Sequence, residues 1–285
     1  MDKDYKTIEE VLQKSVAFLQ AKGIDNAKTD AEWIISSILG MPRLQLYLNL
    51  GELITGKKLD DIRKGIVERG NRIPLQHILG SVEFAGINII CDHRALVPRS
   101  ETEQLVEHII KRVDSGFDGT IVDLGTGTGA IVFSLCMHFR FASGIGIDCC
   151  ENALALAREN LAQFDHKGRI SLIQGNWFVD DFKEIQADIV VANPPYLSHE
   201  EWSSAQPEVK LHDPKGALIS KDEGMQDLLM VCEVAHDLLQ PGGSVYLEMG
   251  KGQADTLLLA LRRKFHSAEI IRDLSSIRRF AHAMK

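Results

Sequence analysis

Asn193-Pro194-Pro195-Tyr196 ends the apolar run Ala187-Asp188-Ile189-Val190-Val191-Ala192, and its residue types are suited to handling an amino group. A run that short and that rich in β-branched residues predicts a buried parallel strand. The tetrapeptide then leaves its carboxyl end, where open α/β sheets bind ligands. Pro194 and Pro195 supply no backbone donors and stiffen the turn. Asn193 Oδ1 and the Pro194 carbonyl can then be aimed together at an NH2 group, while Tyr196 offers a ring face to a planar ligand. The alternative is a loop breaker after a strand.

A second constellation is Asp123-Leu124-Gly125-Thr126-Gly127-Thr128-Gly129-Ala130, with Asp148 at the end of the following strand candidate. Glycines at that turn let the backbone approach a ligand closely, and a carboxylate at the next strand end can take both hydroxyls of a ribose. Gly125, Thr126, Gly127, Thr128, Gly129 and Asp148 are therefore candidate contacts for an adenosine-containing cofactor. The spacing also satisfies the dinucleotide fingerprint, and Asp148-x-x-Glu151 also reads as a helix cap. Two features favour S-adenosylmethionine over a nicotinamide dinucleotide. Asp123 would repel a pyrophosphate and attract an ammonium or sulfonium charge, and paired acceptors for an NH2 group serve methyl transfer to nitrogen, not hydride transfer.

The elements that must position these residues alternate after Ser100. Strands are expected at Thr120 to Leu124, Ser143 to Asp148, Ile170 to Gln174, Asp188 to Ala192 and Gly243 to Met249. Helices are expected at Thr128 to Phe139, Glu151 to Leu161, Met225 to Leu239 and Ala254 to Phe265. This is the doubly wound parallel α/β pattern, and two last strands, Ala268 to Arg272 and Arg278 to Ala283, give it an antiparallel edge hairpin. Residues 1–75 read as a small all-helical domain, with capping boxes at Thr7-x-x-Glu10 and Thr29-x-x-Glu32 and no clustered catalytic groups, which suits docking of a partner, the alternative being structural support alone. Residues 76–98 read as a β-hairpin connector around Gly86, and residues 99–285 as the catalytic domain.

The chain has 285 residues, 45% of them hydrophobic, and a net charge of −8. That charge, with no basic stripe, argues against a duplex-binding protein. Five cysteines without a C-x-x-C pair suit reduced thiols, and the charged start Met1-Asp2-Lys3-Asp4 is unlike a signal peptide. A cytoplasmic protein without membrane association or a metal is expected, and a monomer.

Taken together, these motifs make the chain resemble the release factor glutamine methyltransferases of the HemK type. The likeness also rests on Pro74-Leu75-Gln76-His77-Ile78-Leu79-Gly80, Phe84-x-Gly86, Leu96-Val97-Pro98-Arg99-Ser100-Glu101-Thr102-Glu103 and Gly175-Asn176-Trp177-Phe178. The resemblance implies an S-adenosylmethionine-dependent methyltransferase sheet behind a helical substrate-binding domain. Its substrate would be the glutamine of a Gly-Gly-Gln loop in class I peptide release factors. It further implies that Gly125 to Gly129 cradle the methionine end of the cofactor, Asp148 holds the ribose, Trp177 flanks the adenine, and Asn193 with the Pro194 carbonyl holds the glutamine amide. The chain departs from the family at Ser100, usually proline, at His77, usually tyrosine, at Asn176, often aspartate, and at His212-Asp213-Pro214, usually aromatic-Glu-Pro. Rival readings are glutamine methylation of a ribosomal protein, methylation of a nucleic acid base amine, a nicotinamide dehydrogenase, and a noncatalytic translation-factor binder.

Overall fold

Ile8, Val11, Leu12 and Leu19 recur at helical spacing and are buried together with Ile34, Ile35, Leu46 and Ile62 in one apolar cluster. Burying that stripe is what holds the front of the chain together, since short helices are marginal without tertiary packing. The computed structural model describes residues 5–164 and 168–285, so the charged start Met1–Asp4 lies outside the described residues. The front comprises β1 (Tyr5–Thr7), α1 (Ile8–Ala21), α2 (Ala27–Leu39), α3 (Arg43–Leu48), β2 (Leu53–Thr55), α4 (Gly56–Gly70) and α5 (Leu75–Leu79). It is helical but for one antiparallel ladder, Tyr5↔Thr55 to Thr7↔Leu53. Thr7 and Thr55 are the extended N-caps of α1 and α4, so the entries to two helices lie side by side and pair. The Thr7 hydroxyl accepts the Glu10 amide at 3.2 Å, as its position before the helix predicts. Thr29 and Glu32 behave otherwise. The helix begins at Ala27, and Glu32 is buried, accepting from Arg43 and from the Tyr47 phenol.

Two compact units partition the chain, one reaching to Ser81 and including Gln206–His212, the other comprising Val82–Ala205 and Asp213–Lys285. The first is therefore discontinuous in sequence. Arg69 of α4 donates to Asp30 Oδ2 at 2.7 Å and stands 2.9 Å from Glu208, which Arg72 also approaches at 3.3 Å. A planar guanidinium can serve two carboxylates at once, which is how this largely buried group of charges is satisfied.

The second unit opens within β3 (Ser81–Phe84), at Val82, and continues with β4 (Ile87–Ile90), turned at Ala85 and Gly86, followed by α6 (Ser100–Arg112), β5 (Thr120–Leu124), α7 (Ala130–His138), β6 (Ser143–Asp148), α8 (Glu151–Phe164), β7 (Ile170–Gln174) and β8 (Ala187–Ala192). After β8 come α9 (His199–Ser204), α10 (Pro207–His212, grouped with the first unit), a 3-10 turn at Lys215–Ala217, α11 (Met225–Leu238), β9 (Leu239–Glu248), α12 (Ala254–Lys264), β10 (Ser267–Arg272) and β11 (Arg278–Met284). The seven-stranded sheet has the order β10-β11-β9-β8-β5-β6-β7. Its five strands from β9 to β7 are parallel, and the last two strands form the expected antiparallel edge. Neighbouring residues of β5 serve opposite faces, as a period of two requires. Ile121 packs with Leu105, Val106 and Ile109 of α6, and Val122 packs with Leu228, Val231 and Leu257 of α11 and α12. The strand order reverses between β5 and β8, which brings the glycine loop and Asn193-Pro194-Pro195-Tyr196 side by side.

Two polar clamps tie the hairpin to this frame. Glu103 Oε1 accepts the Ala85 amide at 2.9 Å, holding the hairpin turn against the first turn of α6. Asn160, fully buried on α8, accepts from the Ile90 amide and donates to the carbonyls of Ile90 and Thr128, joining the hairpin to the glycine loop.

Candidate active site

Gly125 and Gly127 leave β5 with φ of 78° and 57°, and Gly129, the N-cap of α7, has φ 84°. A Cβ on Gly129 would sit 2.0 Å from the Phe133 ring, so this turn admits only glycine. The loop lines a cavity of about 340 Å³ together with Asp148, Trp177, Asn193 and Pro195. Leu96, Cys149, Ala217 and Asp227 contribute to the same wall. A volume of this order suits a small ligand.

Asp148 is held by backbone amides on both oxygens, Gly127 to Oδ2 at 2.8 Å and Cys150 to Oδ1 at 2.8 Å. Burial raises its carboxyl above the ordinary range, and the amides of Cys150, Gly127 and Cys149 work against that rise. The Trp177 indole donates to Asp227 Oδ1 at 3.1 Å, which fixes the ring, and its edge would stand 3.4 Å from a Cβ on Gly125. A Cβ at Gly125 would only touch the indole, so the positive φ of 78° is what calls for glycine there, and loop and ring together wall the cavity.

Thr126, Thr128 and Gly129 are not on the cavity wall. Both threonine side chains are buried, and the Thr126 hydroxyl donates to Asp123 Oδ2 at 2.7 Å, so these positions shape the loop from beneath. Asp123 is wholly buried under that loop, where burial pushes its carboxyl up to about 7. It does not line the cavity, where the expectation from sequence puts a ligand-facing acid, because the strand's alternation turns it into the core.

At the end of β8, Asn193 and Pro195 reach the cavity wall, and Pro194 and Tyr196 do not. Tyr196 offers no ring face to that cavity. Its ring packs against the core cluster under α11 and α12, and its phenol donates to Glu248 Oε1 at 3.1 Å. Burial raises the phenol's pKa, and the Glu248 charge adds to the rise. Glu248 Oε2 accepts the Thr102 hydroxyl at 2.7 Å, and Thr102 Oγ1 accepts Asn193 Nδ2 at 2.9 Å. Burial lifts the Glu248 carboxyl to about 7, opposed by those two hydroxyl donors and the Arg279 charge, while Glu101 adds to the rise. Gln253 donates to the Tyr196 carbonyl at 2.9 Å and pins the far end of the turn.

Thr102, Glu248, Gln253 and Asp227 carry no role in the reading from sequence alone. The available signal for Glu248 was its place at the carboxyl end of the strand beside β8. Asp213, in the triplet that departs from the family pattern, is buried and bonded to Arg99 at 2.5 Å, so the acid there is structurally engaged. His77 and His212 do not line the cavity.

A family model described as the PrmC N-terminal domain matches residues 10–80, and one described as the methyltransferase small domain matches residues 99–218. A release factor glutamine methyltransferase of Geobacter sulfurreducens is 33% identical over 88% of this chain and 87% of its own length. The chain belongs to the release factor glutamine methyltransferase family. A member from Deinococcus radiodurans is 32% identical over 98% of both chains, so the family likeness includes the helical front and the edge hairpin. The crystal structure of a methyltransferase from Pyrococcus furiosus superposes with a TM-score of 0.51 at 16% identity, covering 70% of this chain and 89% of that one, and supports the methyltransferase fold. Among the described residues no helix is long and apolar enough to cross a membrane.

Proposed function

We propose that this family member transfers the methyl group of S-adenosylmethionine to the side-chain amide nitrogen of the glutamine in the Gly-Gly-Gln loop of class I release factors. The observation that carries the reading is Asn193 on the same cavity wall as Gly125, Gly127, Asp148 and Trp177. When bound, the cofactor supplies an electrophilic sulfonium methyl. Asp148 would take the ribose, Trp177 the adenine face, and the backbone at Gly125 and Gly127 the methionine end. Asn193 Oδ1, on the cavity wall, would accept one amide hydrogen of glutamine, and the Pro194 carbonyl, in the turn beside that wall, the other, orienting a nitrogen that is a poor nucleophile because its lone pair is delocalised. Alignment of this kind supplies roughly 7 to 11 kcal/mol in favourable intramolecular cases. The same two acceptors stabilise positive charge as it builds on the nitrogen.

The decisive experiment incubates the protein with isotopically labelled S-adenosylmethionine and intact release factor, then maps the label by mass spectrometry of the Gly-Gly-Gln peptide. Label on that glutamine is expected. Label only on a ribosomal protein, or on nucleic acid, sinks the reading.

The helical front would dock the protein substrate, since a short Gly-Gly-Gln loop offers too little by itself and remote contacts must hold it. Leu44 and Leu48 of α3, 81% and 82% exposed, are candidates for that contact. Replacing both by aspartate should raise KM for intact release factor by about tenfold, equivalent to about 1.4 kcal/mol, with cofactor affinity unchanged. An unaltered KM would leave the front with structural support alone. The reading takes the protein as cytoplasmic, in keeping with five free cysteines.

A further inference from the structure

A hydroxyl has one hydrogen to give and lone pairs to receive with, and the surroundings of Thr102 leave it a single arrangement. Glu248 is 1% exposed and accepts hydroxyl protons on both oxygens, from Thr102 at 2.7 Å and from Tyr196 at 3.1 Å. With Glu248 ionised, the hydrogen of Thr102 is therefore committed to it, and toward Asn193 the same oxygen can only accept. The Asn193 carboxamide must turn its NH2 to Thr102, as the 2.9 Å contact from Nδ2 has it. Its oxygen is then the atom left for a ligand at the cavity wall. A carboxamide without this constraint is nearly symmetric in shape and can present either end. In the reversed orientation it would offer an NH2 to an incoming NH2 and repel it.

We propose that Thr102 and Glu248 are positioning residues that lock the Asn193 carboxamide with its oxygen toward the cavity, so that the site selects an NH2-bearing group as its methyl acceptor. Glu248 acts on Thr102, Thr102 acts on Asn193, and neither of the first two touches the substrate. The inference rests on the reading of Asn193 as the acceptor for the glutamine amide.

The test is single-turnover methylation of intact release factor at saturating cofactor, assayed at a pH above the titration of the Glu248 carboxyl. Thr102→Val, close in shape but with no acceptor, should lower the rate by about tenfold or more. Its calorimetric affinity for S-adenosylmethionine should be unchanged, and Thr102→Ser should restore most of the rate. Because Thr102 acts through Asn193, the Thr102→Val/Asn193→Ala double variant should be no slower than Asn193→Ala alone. Glu248→Gln should slow the wild type and leave the Thr102→Val variant no slower than it already is. Thr102→Ala takes the place of the valine variant if that one does not fold. A wild-type rate for the valine variant, an equal loss in the serine variant, or losses that multiply in the double variant would each overturn the relay. A wild-type protein that does not methylate release factor would bring down the underlying reading instead. A slow Asn193→Ala variant beside unaffected Thr102 variants would bring down this inference alone.

Discussion

Asp148 meets the cavity with each oxygen already accepting one backbone amide, so its orientation is set before a ligand arrives. Asp148→Ala should weaken S-adenosylmethionine binding by roughly 10- to 100-fold, the scale of one charge-assisted hydrogen bond at about 1.5 to 3 kcal/mol. Titration calorimetry reads this directly, and unchanged affinity would leave Asp148 as a brace for the Gly127 turn only. At this scale the sequence was most informative where residues carry their own geometry. Glycines with positive φ, a strand-end acid and an Asn followed by two prolines are each legible from local chemistry. The partners of Asn193 were not. Thr102 and Glu248 lie 146 residues apart, and no periodicity joins them, so only the folded sheet brings them into one hydrogen-bonded row. Asp123 misled for a related reason: its spacing from the glycines is that of a ligand-facing acid, whereas the strand's two-residue alternation buries it.

Strands and long helices emerged nearly where apolar periodicity predicts them, within one or two residues at most ends. Short elements did not, because six-residue helices such as α9 and α10 contain too few turns to display a stripe. The segment carrying them returns to the active-site turn through pairing of Leu197 with Ile219 and through the stretch just before α11. Gly224, the N-cap of α11, has φ 85°, and a Cβ there would stand 2.0 Å from the Tyr196 carbonyl oxygen. Gly224→Ala should therefore displace the turn that carries Asn193, costing roughly 1 to 3 kcal/mol of stability through backbone strain alone. Turnover should fall more than cofactor affinity does, since Asp148 and Trp177 lie on other elements. Thermal melts with kinetics on the same preparation would check both, and a variant with wild-type turnover would show that the turn tolerates the displacement.

For the molecule as a whole, buried acids couple stability to pH. The Glu248 carboxyl moves from an ordinary 4.5 to about 7 on burial, so the folded chain holds that proton more tightly than the unfolded one. Its contribution to stability is thus complete below 4.5 and is lost as pH rises toward 7. Glu248→Gln keeps the neutral form at every pH. The variant's Tm relative to wild type should climb across this interval, by roughly 2 to 4 °C for each kcal/mol of charge burial avoided. A difference in Tm independent of pH would mean that the carboxyl titrates at its ordinary value. The excursion of residues 206–212 into the first unit has a consequence for the order of events during synthesis. Domains generally fold as units while the chain emerges, at about 5 to 20 residues per second. Here the amino-terminal unit waits for Glu208, made long after Arg69, before its last buried cation finds its second acid. A nascent chain halted after β8 should hold helices α1, α2 and α4 in place with Asp30 as the one acid on Arg69, beside the Ile73 carbonyl. Amide exchange around α4 should then remain faster in the arrested chain than in the released protein.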